Sequence, residues 1–279
     1  MSGSPGTARA RLYAGAVARV LVRAHARSGS DLGAVTERPV FVVGAPRSGT
    51  SFVARSIGRL PGFVDLGELK PWKASIPQLA ALPEEEAARE LRRALEAIRR
   101  YGLVRRLRAV EQSPETAFVL GPIVRAYPQA AVVHMLRDPR DVAASLLQKG
   151  WLRAGRPGQD DVGSPYGHHV RFWVEPERAE EFDRADEARR AGWAWRRYVS
   201  AARVASGNTL EVRYEDLAAD PVATSEPLAV HLGADPVLLG EAFTHMHAES
   251  VGRWRRNLRA EQVSEVEAEA GELLVELGY

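Results

Sequence analysis

The apolar run Val40-Phe41-Val42-Val43 passes directly into Gly44-Ala45-Pro46-Arg47-Ser48-Gly49-Thr50-Ser51, and this junction constrains the fold more than any other stretch of the chain. Four consecutive apolar residues, three of them β-branched, do not alternate as a half-exposed strand does. They fit a strand buried on both faces, as in a parallel sheet covered by helices. The glycines that follow let the backbone bend and come close to a ligand. If a helix starts there, its first N–H groups and the positive end of its dipole favour a phosphate. Ser48, Thr50 and Ser51 add hydroxyl donors.

Gly44 to Ser51 fits the frame GxxxxG followed by two polar residues, in the position of a P-loop after a strand and before a helix. One position departs from the nucleoside-triphosphatase version. Where a lysine would reach the β- and γ-phosphates the chain has Thr50, and the available cation is Arg47. The loop can hold a phosphate but lacks the lysine expected of a kinase.

Two further runs look like strands, Ala131–Leu136 and Leu210–Tyr214, while residues 84–100, 139–149, 184–205 and 261–275 carry helical patterns. Glu85/Arg89 and Glu96/Arg100 stand at i,i+4 spacing in the first of these. Strands alternating with helices over 279 residues imply an α/β domain, here expected over residues 37–279. Residues 1–36 read as an N-terminal extension, with the arginine-rich, acid-free stretch 8–27 expected as a helical arm despite its superficial likeness to a transit peptide. The Gly- and Pro-rich stretch 150–176 is long for a connection and reads as mobile or as a lid.

With no cysteine, the chain has no disulfide, thiolate nucleophile or zinc–thiolate site. It contains no apolar run of about 18 residues, so no membrane span is expected. A formal net charge of +2 is too small to argue for nucleic acid but suits a local cluster of arginines around a small polyanion. The abundance of Ala, Arg, Gly and Val suggests a bacterial source, and the expected location is cytoplasmic.

A second motif follows the 131–136 strand: Arg137-Asp138-Pro139-Arg140-Asp141-Val142-Ala143-Ala144-Ser145. It puts a cation at the C-terminal end of a strand, where open α/β sheets bind ligands. Arg137 offers a planar fork suited to phosphate and Ser145 a hydroxyl about two turns into the next helix. The plainer reading pairs Arg137 with Asp138 as an ion pair at a helix start. Val212-Arg213-Tyr214-Glu215-Asp216-Leu217 with Asp220-Pro221 puts an aromatic at a strand end. Ser250-Val251-Gly252-Arg253-Trp254-Arg255-Arg256 combines a cation, a glycine and an aromatic, which suits phosphate and adenine or a basic surface turn.

These four strings, in this order, resemble the sulfotransferase family that uses 3′-phosphoadenosine 5′-phosphosulfate (PAPS), in a branch that includes bacterial sulfotransferases and the tyrosylprotein sulfotransferases. The resemblance covers about residues 39–256. It implies a P-loop-like three-layer α/β fold, a central parallel sheet flanked by helices. It also implies transfer of a sulfuryl group to a hydroxyl or amine without a metal. On the matched motifs, Arg47, Ser48, Gly49, Thr50 and Ser51 hold the 5′-phosphate and sulfuryl group. Arg137 and Ser145 hold the 3′-phosphate, Tyr214 lies near the nucleotide, and Ser250 and Arg253 belong to a late loop closing over it. The resemblance also makes Glu68, in Asp65-Leu66-Gly67-Glu68-Leu69, the base, with Arg47 as its catalytic partner. His134, expected as a core residue, and His168, His169, His245 and His247 are weaker choices. The family's lysine before a Ser/Thr-Pro pair is replaced here by Gln112, which cannot neutralise charge. A small-molecule, lipid or carbohydrate acceptor fits, no nucleic acid is expected, and a homodimer is compatible. A small-molecule P-loop kinase and a non-catalytic nucleotide-binding relative are the alternatives.

Overall fold

The computed structural model describes residues 38–101, 107–153, 171–204, 208–246 and 248–279, with positions 14, 17, 18 and 21. Five strands, β1 (Val40–Gly44), β2 (Phe63–Gly67), β3 (Arg108–Glu111), β4 (Ala131–Leu136) and β5 (Thr209–Arg213), pair in parallel in the order β2-β3-β1-β4-β5. Helix α1 (Thr50–Ile57) follows β1, and α2 (Lys70–Ala80) and α3 (Glu84–Tyr101) separate β2 from β3. Helix α4 (Leu120–Ala126) leads into β4, and α5 (Pro139–Lys149), α6 (Ala179–Arg184) and α7 (Glu187–Val204) lie between β4 and β5. The chain closes with α8 (Tyr214–Ala219), α9 (Pro221–Leu232), α10 (Pro236–Phe243), α11 (Trp254–Asn257) and α12 (Ala260–Glu276).

Strand β1 is central and fully buried, and its side chains alternate between two apolar layers. Phe41 and Val43 pack with Trp72, Leu91, Leu95 and Ile123 from α2, α3 and α4. Val40 and Val42 pack on the other face with Val53, Leu228 and Leu239 from α1, α9 and α10. A further cluster joins α5, α7 and α12 through Val142, Trp195 and Val266. Helices on both faces of a parallel sheet make the three-layer arrangement expected of an unbroken apolar strand. From β1 the chain turns toward the β2 edge, and from β4 toward the β5 edge. The boundary between β1 and β4 is therefore the topological switch point, where such sheets open a crevice beyond the strand C-termini.

Helix α5 spans the expected 139–149, and the last strand begins one residue earlier than its apolar pattern implies. The expected helix 184–205 is met by α7 (Glu187–Val204), while Arg184 ends a first, separate helix, α6. Asp186 starts the second by accepting a hydrogen bond from Arg189 N at 2.7 Å. Helix α12 is interrupted at Gly271, whose φ is 57°. Glu85 in α3 pairs with Arg125, and Glu96 accepts from the Tyr127 hydroxyl at 3.0 Å, so both carboxylates bind groups outside their helix. Strands β2 and β3 emerge where the sequence showed only a short apolar stretch and a charged tetrapeptide. Most of the 8–27 arm and residues 154–170, with Tyr166, His168 and His169, lie outside the described residues, as does His247. Among the described residues, no helix is long and apolar enough to cross a membrane.

Gly44 ends β1 beside Met135 of β4, with φ at 148°. A Cβ there would lie 2.4 Å from the Met135 carbonyl oxygen. Gly44→Ala is expected to cost roughly 2–4 kcal/mol, since overpacking and backbone strain each cost about 1–3 kcal/mol. Urea unfolding checks this, and a loss below about 0.5 kcal/mol would refute the close-approach argument.

Candidate active site

The loop after β1 holds two left-handed residues in three: Arg47 with φ at 75° and Gly49, the N-cap of α1, with φ at 93°. Arg47 is a non-glycine residue in this region, a costly conformation that surrounding structure must sustain. Ser48 N donates to Ala45 O at 3.1 Å, closing the turn. A Cβ on Gly49 would meet the Tyr214 ring at 2.7 Å, so glycine is needed both for its φ and for this contact. The turn brings the first N–H groups of α1, which have no intrahelical acceptor, to the end of the sheet. The Ser48 hydroxyl is buried and has no hydrogen-bond partner among the described residues.

Arg137 leaves β4 next to this loop. Its Nη1 donates to Arg47 O at 2.9 Å and its Nη2 to Ser250 O at 2.8 Å, while the guanidinium stacks on the Tyr214 ring at 4.2 Å. Its Nε is buried with no partner among the described residues. The ion-pair reading of Arg137 with Asp138 fails, because Asp138 caps α5 by accepting from Arg140 N and pairs with the Arg140 side chain at 2.9 Å. The Arg47 Nε donates to Ser145 Oγ at 3.0 Å, and its guanidinium faces Trp151. Tyr214 OH and Ser250 Oγ are 2.6 Å apart.

Arg47, Gly49, Arg137, Ser145, Tyr214 and Ser250 open onto a cavity of about 440 Å³. Its lining includes Arg47, Gly49, Thr50, Ser51, Arg137, Ser145, Tyr214, Ser250 and Arg253, which the sequence had singled out in four separate stretches. Ser48 is buried and is not among the lining residues. Neither Arg47 nor Arg137 forms an ion pair among the described residues. Burial, and then the neighbouring Arg137 charge, press the Arg47 guanidinium below its ordinary value. Like charges held together in a partly dry pocket make a site that an anion would stabilise.

A model of the sulfotransferase family matches residues 39–236. The chain belongs to that family. The sulfotransferase domain from the curacin biosynthetic pathway superposes with a TM-score of 0.57 at 13% identity, covering 87% of this chain and 98% of that one. The sulfotransferase from Alicyclobacillus acidocaldarius is 22% identical, with 85% of this chain and 96% of that chain covered and a TM-score of 0.49. The sulfotransferase STF1 from Mycobacterium tuberculosis H37Rv is 18% identical, with 94% and 81% covered and a TM-score of 0.49. No curated protein matches the chain in sequence.

In this sulfotransferase-family chain, Glu68 lies outside the 440 Å³ cavity, just beyond the C-terminal end of β2. Its carboxylate is 2.9 Å from Lys73 Nζ, and the fully buried Lys73 also pairs with Glu115 at 3.1 Å. Gln112, after β3, accepts a hydrogen bond from the Ser51 hydroxyl at 2.9 Å and so ties the β3 end to the phosphate loop. His134 is a buried core residue whose Nδ1 is 3.2 Å from Glu211 Oε1. Sequence reasoning did not find Phe52, Arg55, Asp141, Gln148, Met246, Glu249 and Asn257 in the cavity wall. For Arg55 a signal existed: it is four residues after Ser51 on α1, and its Nε donates to Ser51 O at 3.0 Å.

Glu111, at the end of β3, accepts from Ser113 N, from Ser113 Oγ at 2.5 Å and from Thr116 Oγ1 at 2.9 Å. Burial nevertheless pushes its carboxyl up to about 8, outweighing those hydrogen bonds. An acid whose folded value is raised stays protonated in the native state while the unfolded chain ionises. The contribution of Glu111 to stability is therefore full at low pH, falls as pH rises above about 4.5, and levels off above about 8. Glu111→Gln is expected to flatten this decline, which amounts to up to about 1.4 kcal/mol per pH unit. Denaturant unfolding from pH 5 to 9 tests it, and an unchanged slope in the variant would exclude Glu111 as the source.

Proposed function

We propose that this protein transfers a sulfuryl group from PAPS to a hydroxyl or amine of a small-molecule, lipid or carbohydrate acceptor. The observation that carries this reading is the convergence of Arg47 and Arg137 on one cavity, with the buried Ser48 Oγ and Arg137 Nε lacking partners among the described residues. An anion with two phosphate-like ends supplies what those atoms lack. In this reading, Arg47, Ser48, Gly49, Thr50 and Ser51 bind the 5′-phosphosulfate end at the start of α1. Arg137 and Ser145, with Ser250 and Arg253, bind the 3′-phosphate. The Tyr214 hydroxyl orients Ser250, and its ring supports the Arg137 guanidinium.

PAPS supplies a sulfuryl group on a good leaving phosphate. In the transfer, the acceptor oxygen forms a bond to sulfur while the sulfur–oxygen bond to the phosphate breaks. Negative charge builds on the bridging oxygen, where preorganised donors are most effective. Arg47 is the cation assigned to it, because Gln112 carries no charge and Lys73 is held by two carboxylates. Glu68 is assigned as the base that takes the acceptor proton, with Lys73 fixing its orientation.

Adenosine 3′,5′-bisphosphate is expected to raise the melting temperature, and ATP with magnesium is not. The reverse pattern would favour a kinase. Arg137→Ala is expected to weaken bisphosphate binding by about tenfold or more, as charge-assisted hydrogen bonds disappear, and to weaken adenosine 5′-monophosphate binding less. Equal bisphosphate affinity in variant and parent, measured by calorimetry, counts directly against the assignment.

Glu68→Gln is expected to lower kcat by about 10²-fold or more while leaving bisphosphate affinity intact. Release of bisphosphate from PAPS across an acceptor panel measures it, and full activity of the variant removes Glu68 as base. No turnover by the parent with any acceptor would favour a binding protein that keeps the fold without the chemistry.

A further inference from the structure

Asp141 is an anomaly in the cavity described above. It lines a pocket whose other features favour an anion, yet it is a carboxylate with only 2% of its surface exposed. Its charge opposes the ligand, so electrostatic attraction to a nucleotide cannot explain its presence. Burying a carboxylate also costs several kcal/mol unless hydrogen bonds satisfy it.

The hydrogen bonds show what it does. Asp141 Oδ2 accepts from Gly252 N at 2.7 Å, and Oδ1 accepts from Trp254 N at 2.9 Å. Both donors belong to the loop that carries Ser250 and Arg253, more than a hundred residues further along the chain. Gly252 adopts φ at 68°, and a Cβ there would meet Arg255 Nη1 at 2.6 Å. The left-handed turn aims two nearby N–H groups at one carboxylate, as in an anion-binding nest. Arg140 stacks on the Trp254 ring at 4.5 Å from the same helical turn of α5.

We propose that Asp141 is a positioning residue: it holds the 250–254 turn against α5 so that Ser250 and Arg253 face the 3′-phosphate subsite. The inference rests on the donor reading above and adds to it the residue that assembles half of the subsite. The donor gains from a preformed turn, because the loop need not be ordered when the ligand arrives. The carboxylate's repulsion is reduced by the two N–H groups that take its oxygens.

Asp141→Asn separates positioning from charge by the sign of its effect. Removing a negative charge from the wall would by itself tighten binding of an anion. Losing the anchor weakens it, since the amide nitrogen of asparagine faces an N–H donor. Calorimetry is expected to show adenosine 3′,5′-bisphosphate bound about tenfold or more weakly, with adenosine 5′-monophosphate changed less than about threefold. Amide hydrogen exchange at Gly252 and Trp254 is expected to accelerate. Gly252→Ala disturbs the same turn with Asp141 intact and should reproduce the pattern, which keeps the test decisive if the first variant folds poorly. Unchanged or tighter bisphosphate binding in both variants overturns the proposal, as does equal weakening of both nucleotides. A parent that binds neither nucleotide overturns the donor reading and this inference with it. A parent that binds the bisphosphate, with variants that bind it equally well, overturns only the role of Asp141.

Discussion

The Arg137 guanidinium organises the ligand end of the sheet. It is 93% shielded and has no ion pair among the described residues, with carbonyls of Arg47 and Ser250 as acceptors and the Tyr214 ring beneath it. Its own carbonyl accepts from Trp195 Nε1 at 2.9 Å, which fixes the backbone from below. One side chain thus links the phosphate loop, the late loop and the β5–α8 junction. Carbonyl dipoles take its Nη1 and Nη2 donors and a ring face supports it, without cancelling its charge, while Nε keeps no partner among the described residues. A carboxylate partner would have been equally good for folding, but it would have removed the positive potential that makes the cavity receptive to an anion.

The sheet order explains why this arrangement can form. The β1 and β4 strands are neighbours, but their following connections leave in opposite directions, so neither loop covers the crevice between them. Gly44 lets β1 end against Met135 without a side chain in the way, and Gly49 lets Tyr214 approach the start of α1. Arg47 is held with φ positive between these two contacts. The backbone cost there is sustained by the fully buried strand behind it, and its result is a guanidinium set at the cavity wall.

The parts legible in the sequence were those with local signatures. The unbroken apolar run marked β1, the helical pattern of 139–149 marked α5, and residue types in the β1 loop and at the β4 end drew attention to Arg47 and Arg137. β3 was not legible because its flanking charges are buried rather than solvated. Arg108 donates to the carbonyls of Arg38 and Leu232, with burial lowering it to about 10, and Glu111 is enclosed by Ser113 and Thr116. A tetrapeptide with a charge at each end does not resemble an interior strand when its partners lie up to 124 residues away. Asp141 belongs to a motif legible in the sequence, yet it binds backbone N–H groups of a distant loop, which composition and spacing do not encode. Lys73 is similar: a lysine in a helical stretch reads as solvated, and only tertiary packing brings Glu68 and Glu115 to it.

These buried charges also divide the site by strand. The β1 and β4 ends present the guanidinium groups of Arg47 and Arg137, which lack carboxylate partners among the described residues, whereas the β2 and β3 ends present carboxylates with Lys73 between two of them. Gln112 stands at the border, receiving the Ser51 hydroxyl. A lysine at position 112 would have added a further cation at the Ser51 hydroxyl, in the segment that also holds Arg47, whose charge is already disfavoured by burial and by Arg137. A neutral amide avoids that repulsion and still fixes the hydroxyl of the phosphate loop. In the proposed sulfuryl transfer the cation at the leaving group is Arg47, because Lys73 cannot turn toward it without abandoning two buried or half-buried carboxylates, a far costlier change than the reorientation of a side chain held by one serine hydroxyl.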